Sequence, residues 1–192
     1  MLQHIQSWFK SLPVTIRGGI WMILAGLFFT FIGVMIRMAN KEVHVLEIVF
    51  FRYFISLIIM VPWMARRGLS GLKGKNLYIL FARSVSSYIG AILWFASMIY
   101  LPLAEATALG YTAPLFATLG AVLFLDEVVG NRRWWALAVG FIGTLIILRP
   151  GIDTITLPAL YAIGGAIFIA NSVLLVKILN RTESPETIVL YM

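Results

Sequence analysis

The stretch LPLAEATALGYTAPLFATLGAVLFLDE, residues 101–127, decides the fold of this chain. Between Glu105 and Asp126 it holds 20 consecutive residues without a formal charge. At about 1.5 Å per helical residue, this is the length needed to cross a hydrocarbon core of roughly 30 Å. The stretch is therefore predicted to form a transmembrane helix.

Small residues mark one face of this predicted helix, whereas a plain anchor would be mostly Leu, Ile and Val. The spacing of 4, 3, 4 and 3 residues places them on a single face, formed by Ala106, Gly110, Ala113, Ala117 and Gly120. A second stripe lies beside it, formed by Thr107, Tyr111, Pro114 and Thr118. Small side chains let neighbouring backbones approach, which favours helix association in lipid.

Pro114 is predicted to bend this helix. It has no N–H to donate, and its ring crowds the carbonyl of Gly110. Since lipid offers that carbonyl no partner, we expect it to face protein or a water-filled cavity. A packing kink without further function is the alternative, because proline is common in membrane helices.

Composition indicates a polytopic membrane protein. The chain is 61% hydrophobic and 12% charged, whereas a soluble domain is about 25% charged. The chain has 15 basic and 8 acidic residues. This excess of basic residues is explained first by the orientation of the chain in the membrane, so no nucleic-acid partner is expected. The absence of cysteine excludes disulfides and thiolate metal sites.

The predicted fold is an all-α, polytopic membrane helical bundle. Six crossings are expected, at about 18–36, 45–65, 77–101, the opening stretch, 134–148 and 157–176, and a seventh begins at Thr187. Residues 1–17 are predicted to form an interfacial N-terminal segment, since Leu2, Ile5, Phe9 and Leu12 share one face. The membrane lipid is therefore an expected partner.

Basic residues in the short connections predict the topology. A cytoplasmic N-terminus places ten of them inside: Lys10, Arg17, Arg66, Arg67, Lys73, Lys75, Arg132, Arg133, Lys177 and Arg181. It leaves three outside, namely Arg37, Lys41 and Arg149. This positive-inside bias predicts a multi-pass protein with a cytoplasmic N-terminus.

The sequence also echoes itself at an offset of 140 residues. Matching pairs are Ile23 with Ile163, Phe28 with Phe168 and Asn40 with Asn180. A five-helix unit repeated at this offset would enter the membrane from opposite sides, because its helix count is odd. Such inverted repeats are typical of secondary transporters, although chance among apolar residues explains part of the echo.

An ordered set of residues carries a family resemblance. The set is Arg52, Ala96-Ser97, LPLAEATAL, Pro114, Phe116, FLDE and the run RRWWALAVGFIGTLIILRPG at 132–151. In this set the chain resembles the EamA family of the drug/metabolite transporter superfamily. The resemblance implies a ten-helix carrier of two inverted repeats that moves metabolites such as amino acids, nucleosides, vitamins or S-adenosylmethionine, or exports toxic compounds.

The resemblance also implies a domain organisation. Residues 18–151 form the first EamA repeat, with five transmembrane helices. Residues 152–192 start the second repeat, with one helix and a truncated next helix. The chain is interpreted as a fragment or truncated form of such a carrier, which otherwise needs the missing second repeat or a partner chain.

Candidate substrate-binding residues lie on the polar faces of the third, fourth and sixth crossings. The third carries Arg83, Ser87, Gly90, Trp94 and Ser97 at spacings of 4, 3, 4 and 3. With the stripe Thr107–Tyr111–Pro114–Thr118 this face is expected to enclose a solute path. The candidates are Arg83, Ser87, Trp94, Thr107, Tyr111, Pro114 and Asn171. The alternative is that these faces only pack helices together.

Arg52 and Arg83 each lie inside a predicted helix, about 10 Å deep at 1.5 Å per residue. An arginine at that depth costs free energy unless it snorkels to the surface or finds a partner. One hypothesis is that one of them points into the cavity and attracts an anionic group. Snorkelling towards lipid phosphates is the alternative. Asp126 and Glu127 are expected to cap a helix or to pair with Arg132 and Arg133.

The sequence lacks a nucleophile–base set, a metal-ligand cluster, a Walker loop and a dinucleotide fingerprint. No enzymatic activity, cofactor or metal is therefore expected. The predicted function is secondary transport of a small-molecule substrate across a bacterial inner membrane by alternating access. The alternative is a half-length carrier that acts as a membrane partner or assembly module.

Overall fold

The computed structural model describes residues 13–67, 74–148 and 156–191. These ranges hold helices and no strand: α1 (Val14–Ala39), α2 (Val45–Arg67), α3 (Leu77–Tyr100), α4 (Leu103–Gly110), α5 (Ala113–Leu125), α6 (Asn131–Leu148), α7 (Leu157–Leu179) and α8 (Pro185–Leu190). The predicted all-α bundle is confirmed. The predicted interfacial segment falls largely on residues 1–12, which lie outside the described ranges.

Within the described residues, 5 helical stretches are long and apolar enough to cross a membrane: Ile16–Ala39, Val45–Pro62, Leu77–Tyr100, Leu103–Leu125 and Leu157–Leu179. They correspond to five of the six expected crossings. The remaining crossing, at 134–148, is helical as part of α6, but α6 opens with Asn131, Arg132 and Arg133, which lower its hydropathy. Its passage through the membrane therefore stays a prediction.

A short helix, α8, begins at Pro185, two residues before the predicted start of a seventh crossing at Thr187, and the crossing itself stays a prediction. Ser184 precedes α8 as the N-cap, and its hydroxyl accepts a hydrogen bond from the backbone N–H of Thr187 at 3.2 Å. Serine is a preferred N-cap and proline a preferred first helical residue, so the sequence itself sets this start.

Where the sequence predicts a bend in one helix at Pro114, the structure has a break between two helices. α4 ends at Gly110 and α5 begins at Ala113, while Tyr111 and Thr112 keep right-handed backbone angles. Pro114 lies in the first turn of α5, where its missing N–H costs no hydrogen bond. The proline therefore starts the second helix instead of kinking a continuous one.

Close contact between α3 and α7 forms the centre of the bundle. A Cβ atom added to Gly165 would lie 3.1 Å from the backbone nitrogen of Trp94, and one added to Gly90 would lie 3.3 Å from the backbone nitrogen of Ile169. Because both contacts involve backbone atoms, neither neighbour can rotate away. The glycines thus permit the close approach on which helix packing in lipid depends.

Hydrogen bonds at the ends of α3 fix the directions of its neighbours. Arg37, in the last turn of α1, donates to the carbonyl oxygens of Met98 at 2.9 Å and of Leu101, both at the C-terminal end of α3. Glu183, just after α7, accepts from the backbone N–H of Asn76 at the N-terminal end of α3, at 2.8 Å. α1 therefore runs parallel to α3 and α7 antiparallel, so α1 and α7 point in opposite directions.

The turns that follow α1 and α7 have the same backbone hydrogen bonds at an offset of 140. Asn40 donates to Ile36 at 2.9 Å, and Asn180 donates to Val176 at 2.9 Å. Three more backbone N–H to carbonyl bonds recur at the same offset. After α1 they are Lys41 to Met38, Glu42 to Ala39 and Val43 to Ala39. After α7 they are Arg181 to Ile178, Thr182 to Leu179 and Glu183 to Leu179. The sequence echo thus extends to backbone structure, while the division into two repeats stays a prediction.

Candidate functional site

A hollow of about 340 Å³ lies beside the polar face of α3, between α1, α2 and α7. Aromatic rings form part of its wall, contributed by Phe29, Tyr53, Trp94 and Phe95. Its polar lining consists of Arg52, Arg83, Ser87 and Ser172. The volume is within the range of about 300–1,000 Å³ that is typical of small-molecule sites.

Arg83 lies inside the protein, with 6% of its surface exposed. Its Nη1 donates to the backbone carbonyl oxygen of Ile188 in α8 at 2.6 Å. Its Nε is buried and has no hydrogen-bond partner among the described residues. This arrangement does not match an arginine that snorkels to a lipid surface; it favours the hypothesis of a cation at the cavity.

Arg52 reaches the same hollow from α2. Its guanidinium carbon is 5.3 Å from the ring centre of Tyr53 and 5.5 Å from that of Phe95. At these distances the ring faces attract the cation. The Tyr53 hydroxyl in turn donates to the backbone carbonyl oxygen of Ser87 at 3.2 Å, which joins α2 to α3.

Trp94 is positioned by glycines on two sides. It is 5% exposed, its backbone packs on Gly165, and its six-membered ring lies so close to Gly110 that a Cβ atom there would overlap it. The ring centre of Phe29 lies 6.1 Å away. The indole Nε1 is buried without a hydrogen-bond partner among the described residues.

Two serines connect α3 with α7 at the hollow. The hydroxyl oxygens of Ser87 and Ser172 are 2.9 Å apart and share a hydrogen bond. Asn171 lies beside them in sequence but not in the hollow, because its side-chain amide donates to the hydroxyl of Ser86 at 2.8 Å. Of these two neighbours in α7, Ser172 is the one that faces the hollow.

The other candidates from residues 101–127 lie elsewhere. Tyr111 is 68% exposed and, with Pro114, lines a separate groove of about 390 Å³ against α6. The Thr107 hydroxyl donates to the carbonyl oxygen of Leu103 in its own helix at 2.6 Å. Within the described residues, the lining of the hollow at Trp94 does not include Thr107, Tyr111 or Pro114, so the expected solute path between the third and fourth crossings stays a prediction.

Helical geometry explains why Trp94 and Tyr111 line different hollows. Gly110 is the residue that must face α3, because only there can the Trp94 ring fit against the chain. Successive helical residues are about 100° apart, so Tyr111 points away from α3 when Gly110 points towards it. The small stripe thus faces the bundle centre, whereas Tyr111 and Pro114 face α6.

The structure therefore brings together Arg83, Ser87 and Trp94 and separates them from Thr107, Tyr111, Pro114 and Asn171. Phe29, Tyr53 and Phe95 line the hollow but are not among the residues that the sequence predicted for it. Phe29 and Phe95 gave no signal, since neither belongs to the polar stripes that the sequence marks. For Tyr53 a signal existed, because it adjoins the intramembrane Arg52.

One polar cluster lies at the end of the bundle where α5 and α7 finish. The carboxylate of Glu127 pairs with the ammonium of Lys177 and lies 4.0 Å from Nη1 of Arg133. The hydrogen bond from Lys177, assisted by the positive charge of Arg133, lowers the pKa of the Glu127 carboxyl. The expected pairing with Arg133 is thus found, and Asp126 ends α5 with left-handed backbone angles (φ 49°).

Comparison with known proteins places these features in a family. Residues 16–149 match the EamA-like transporter family. Over 181 residues the chain is 34% identical to a riboflavin transporter of Vibrio cholerae, covering 92% of this chain and 61% of that protein. A riboflavin transporter of Rhizobium johnstonii is 34% identical over 177 residues, covering 91% of this chain and 59% of the relative.

An S-adenosylmethionine uptake transporter of Rickettsia prowazekii is 29% identical over 160 residues, which cover 83% of this chain and 54% of the relative. The chain thus spans 54–61% of the length of these relatives. No solved structure matches it significantly. The names of the family and of its members denote transporters and not enzymes. With its apolar helices and a family match over most of its length, the chain belongs to the EamA-like transporter family.

Proposed function

We propose that this chain takes part in secondary transport of a small metabolite, with the hollow beside α3 as the binding site. The observation that carries the proposal is the mixed aromatic and polar lining of this hollow, between α7 and the helices α1 to α3. In carriers built from inverted repeats, substrates bind where the two repeats meet. α7 is the first helix of the proposed second repeat, so the hollow has that position.

The mechanism is alternating access, in which one repeat rocks against the other around the site. The opposite directions of α1 and α7 support this proposal, as do the matching turns that follow them. The close α3–α7 contact at Gly90 and Gly165 would serve as the fulcrum, since the two helix backbones approach each other closely at these glycines.

The site of action is proposed to be the bacterial inner membrane, with the N-terminus in the cytoplasm. The ten-to-three distribution of basic residues between the two sides supports this orientation. The cluster of Glu127, Arg133 and Lys177 would then lie at the cytoplasmic surface.

A transport assay in inverted and right-side-out vesicles tests the proposal. The panel contains amino acids, nucleosides, riboflavin and S-adenosylmethionine, because relatives carry the last two in their names. We expect one class to move in a saturable manner, and we expect Arg83→Gln to abolish that movement without affecting membrane insertion. Arg132→Gln is the control, since Arg132 is exposed outside the hollow. Unchanged transport in Arg83→Gln would exclude the proposed role of Arg83.

A second candidate function is that of a membrane partner or assembly module without transport of its own. Large exposed apolar side chains on α1 and α2 favour it, because such faces suit another chain as well as lipid. Among these side chains are Phe28, Phe31, Phe50 and Phe54. Transport by the purified chain alone would exclude this candidate. Transport that requires a co-expressed second repeat would favour it.

A further inference from the structure

We infer that the hollow beside α3 selects a flat heteroaromatic ligand that carries hydrogen-bond acceptors and no positive charge. The inference rests on the proposed function, because the ligand would be the solute that is carried. It adds the chemical class of that solute, which follows from charge, unpaired donors and aromatic walls.

The charge of the lining excludes cations. Two guanidinium groups, of Arg52 and Arg83, line the hollow. No Asp or Glu is found among the described residues that line it. Within a membrane-embedded site of low dielectric, like charges repel far more strongly than in water. A cationic ligand would therefore be rejected, whereas a carbonyl or anionic oxygen would be attracted by the arginine donors.

Unpaired donors indicate which ligand groups fit. Of the five N–H donors of an arginine, Arg83 uses one towards the described residues, which bonds the carbonyl oxygen of Ile188. Its Nε and the Nε1 of Trp94 are buried and have no acceptor in the described part of the chain. An unsatisfied buried donor costs about 1–3 kcal/mol. Because guanidinium and indole nitrogens can only donate, the complementary ligand group is a hydrogen-bond acceptor.

The walls favour a flat ring. Phe29, Tyr53, Trp94 and Phe95 contribute aromatic surface to one hollow of about 340 Å³. Aromatic pairs stack in offset or edge-on arrangements, each adding about 0.5–1.5 kcal/mol beyond the buried area. A planar heterocycle with ring carbonyls or ring nitrogens satisfies the walls and the donors together.

Two fluorescent tricyclic probes of similar shape test the inference. Lumichrome is neutral and has two ring carbonyls, whereas proflavine is cationic and has none. The full chain is purified and reconstituted in lipid nanodiscs, and binding is measured by fluorescence anisotropy against empty nanodiscs. We expect lumichrome to bind at least about tenfold more tightly than proflavine, which corresponds to about 1.4 kcal/mol.

Matched variants locate the binding. Arg83→Gln is expected to weaken lumichrome binding about tenfold or more, a loss of about 1.4 kcal/mol. Arg132→Gln, outside the hollow, is expected to have no effect. Trp94→Phe keeps an aromatic ring but removes the indole N–H, so it is expected to weaken lumichrome binding, whereas its control Trp135→Phe, at a position 73% exposed, is expected to have no effect. If Arg83→Gln fails to fold, Arg52→Gln at an exposed position replaces it.

Equal affinity for the two probes, no binding of either, or lumichrome binding that the hollow variants leave unchanged would each overturn the inference. Preferred binding of lumichrome that Arg83→Gln or Arg52→Gln weakens supports it. The result is separable from the transport assay: such binding without transport of any solute would count against the proposed function alone.

Discussion

Gly110 and Trp94 form the contact on which the position of the hollow depends. The indole ring occupies the space that any Cβ atom at residue 110 would need. Trp94 is almost completely buried and is also held from behind by Gly165, so it cannot move aside. The glycine therefore decides which face of α4 meets α3, and with it the direction in which Tyr111 points.

We predict that Gly110→Ala destabilises the protein by about 1–3 kcal/mol, the typical cost of overpacking a filled site. Gly140→Ala in α6 is the control, because no atom lies within 4 Å of its added Cβ. The control is expected to be neutral or to stabilise by about 0.5–1 kcal/mol, as alanine is the better helix former. Thermal unfolding in detergent measures both. Equal stability of the two variants would contradict the packing described for Trp94.

The sequence predicted which side chains are suited to bind a solute better than it predicted where they lie. Arg83, Ser87 and Trp94 were named from their spacing on one helix, and they do share one hollow. Tyr111 and Thr107 were grouped with them on the assumption that their stripe faced α3. A periodic pattern identifies which residues share a face, but the neighbour of that face depends on packing at a single glycine.

At the element scale, α3 is held at its two ends by charged groups from the helices on either side. Arg37 donates to carbonyl oxygens at its C-terminal end, and Glu183 accepts N–H groups at its N-terminal end. A cation at a helix C-terminus and a carboxylate at an N-terminus are each favourable for the helix dipole. Asn76, the N-cap residue, makes no capping bond with its own side chain, so Glu183 provides the cap.

We predict that Glu183→Ala costs about 1 kcal/mol of stability, the usual loss when a helix N-cap acceptor is removed. Glu42→Ala is the matched control, because Glu42 is an exposed residue in the corresponding turn after α1. Chemical unfolding in detergent compares the two variants with the parent chain. A control that loses as much stability as Glu183→Ala would contradict the cap.

The cluster of Glu127, Arg133 and Lys177 at the ends of α5 and α7 predicts that the stability of the fold depends on pH. The pKa of Glu127 is lowered in the folded chain, mainly by the hydrogen bond from Lys177. The stabilising effect of its charge is therefore fully present above the unfolded pKa, about 4.3 for a glutamate, and is lost as the pH falls through the folded value.

We thus expect Glu127→Gln to be less stable than the parent chain at neutral pH, with a difference that shrinks below about pH 4. Melting temperatures measured across this range test the prediction, with Glu42→Gln as the exposed control. A difference that stays constant down to acid pH would show that the Glu127 charge does not contribute. Pro114 predicted a bend in one helix, whereas the structure has a break between α4 and α5, where the backbone of Thr112 donates to Leu109 and accepts from Phe116.

At the scale of the whole molecule, orientation in the membrane can be tested because the chain has no cysteine. Single cysteines at Lys41, Arg132 and Arg181, all exposed, are treated with a membrane-impermeant thiol reagent. We expect labelling of Lys41→Cys in intact cells, and labelling of the other two only after lysis. The reverse pattern would contradict the cytoplasmic N-terminus.

The helical class and five apolar crossings follow directly from composition and segment length, so the sequence predicted them well. The opposite directions of α1 and α7 were predicted from the 140-residue echo, and contacts at the two ends of α3 agree with it. The position of the hollow could not be predicted from the sequence. Four helices line it, and Phe29 and Phe95 reach it although neither belongs to the polar stripes that the sequence marks.

Site-specific protection tests most directly whether the hollow beside α3 binds the transported solute. Val173 lines this hollow and Tyr111 lines the separate groove against α6, and both are more than half exposed. Each is replaced by cysteine, and maleimide labelling is timed with and without a solute that the transport assay identifies. We predict that the solute slows labelling of Val173→Cys about tenfold, as expected at a concentration of about ten times its dissociation constant, and leaves Tyr111→Cys unchanged. Protection of Tyr111→Cys alone would contradict the account.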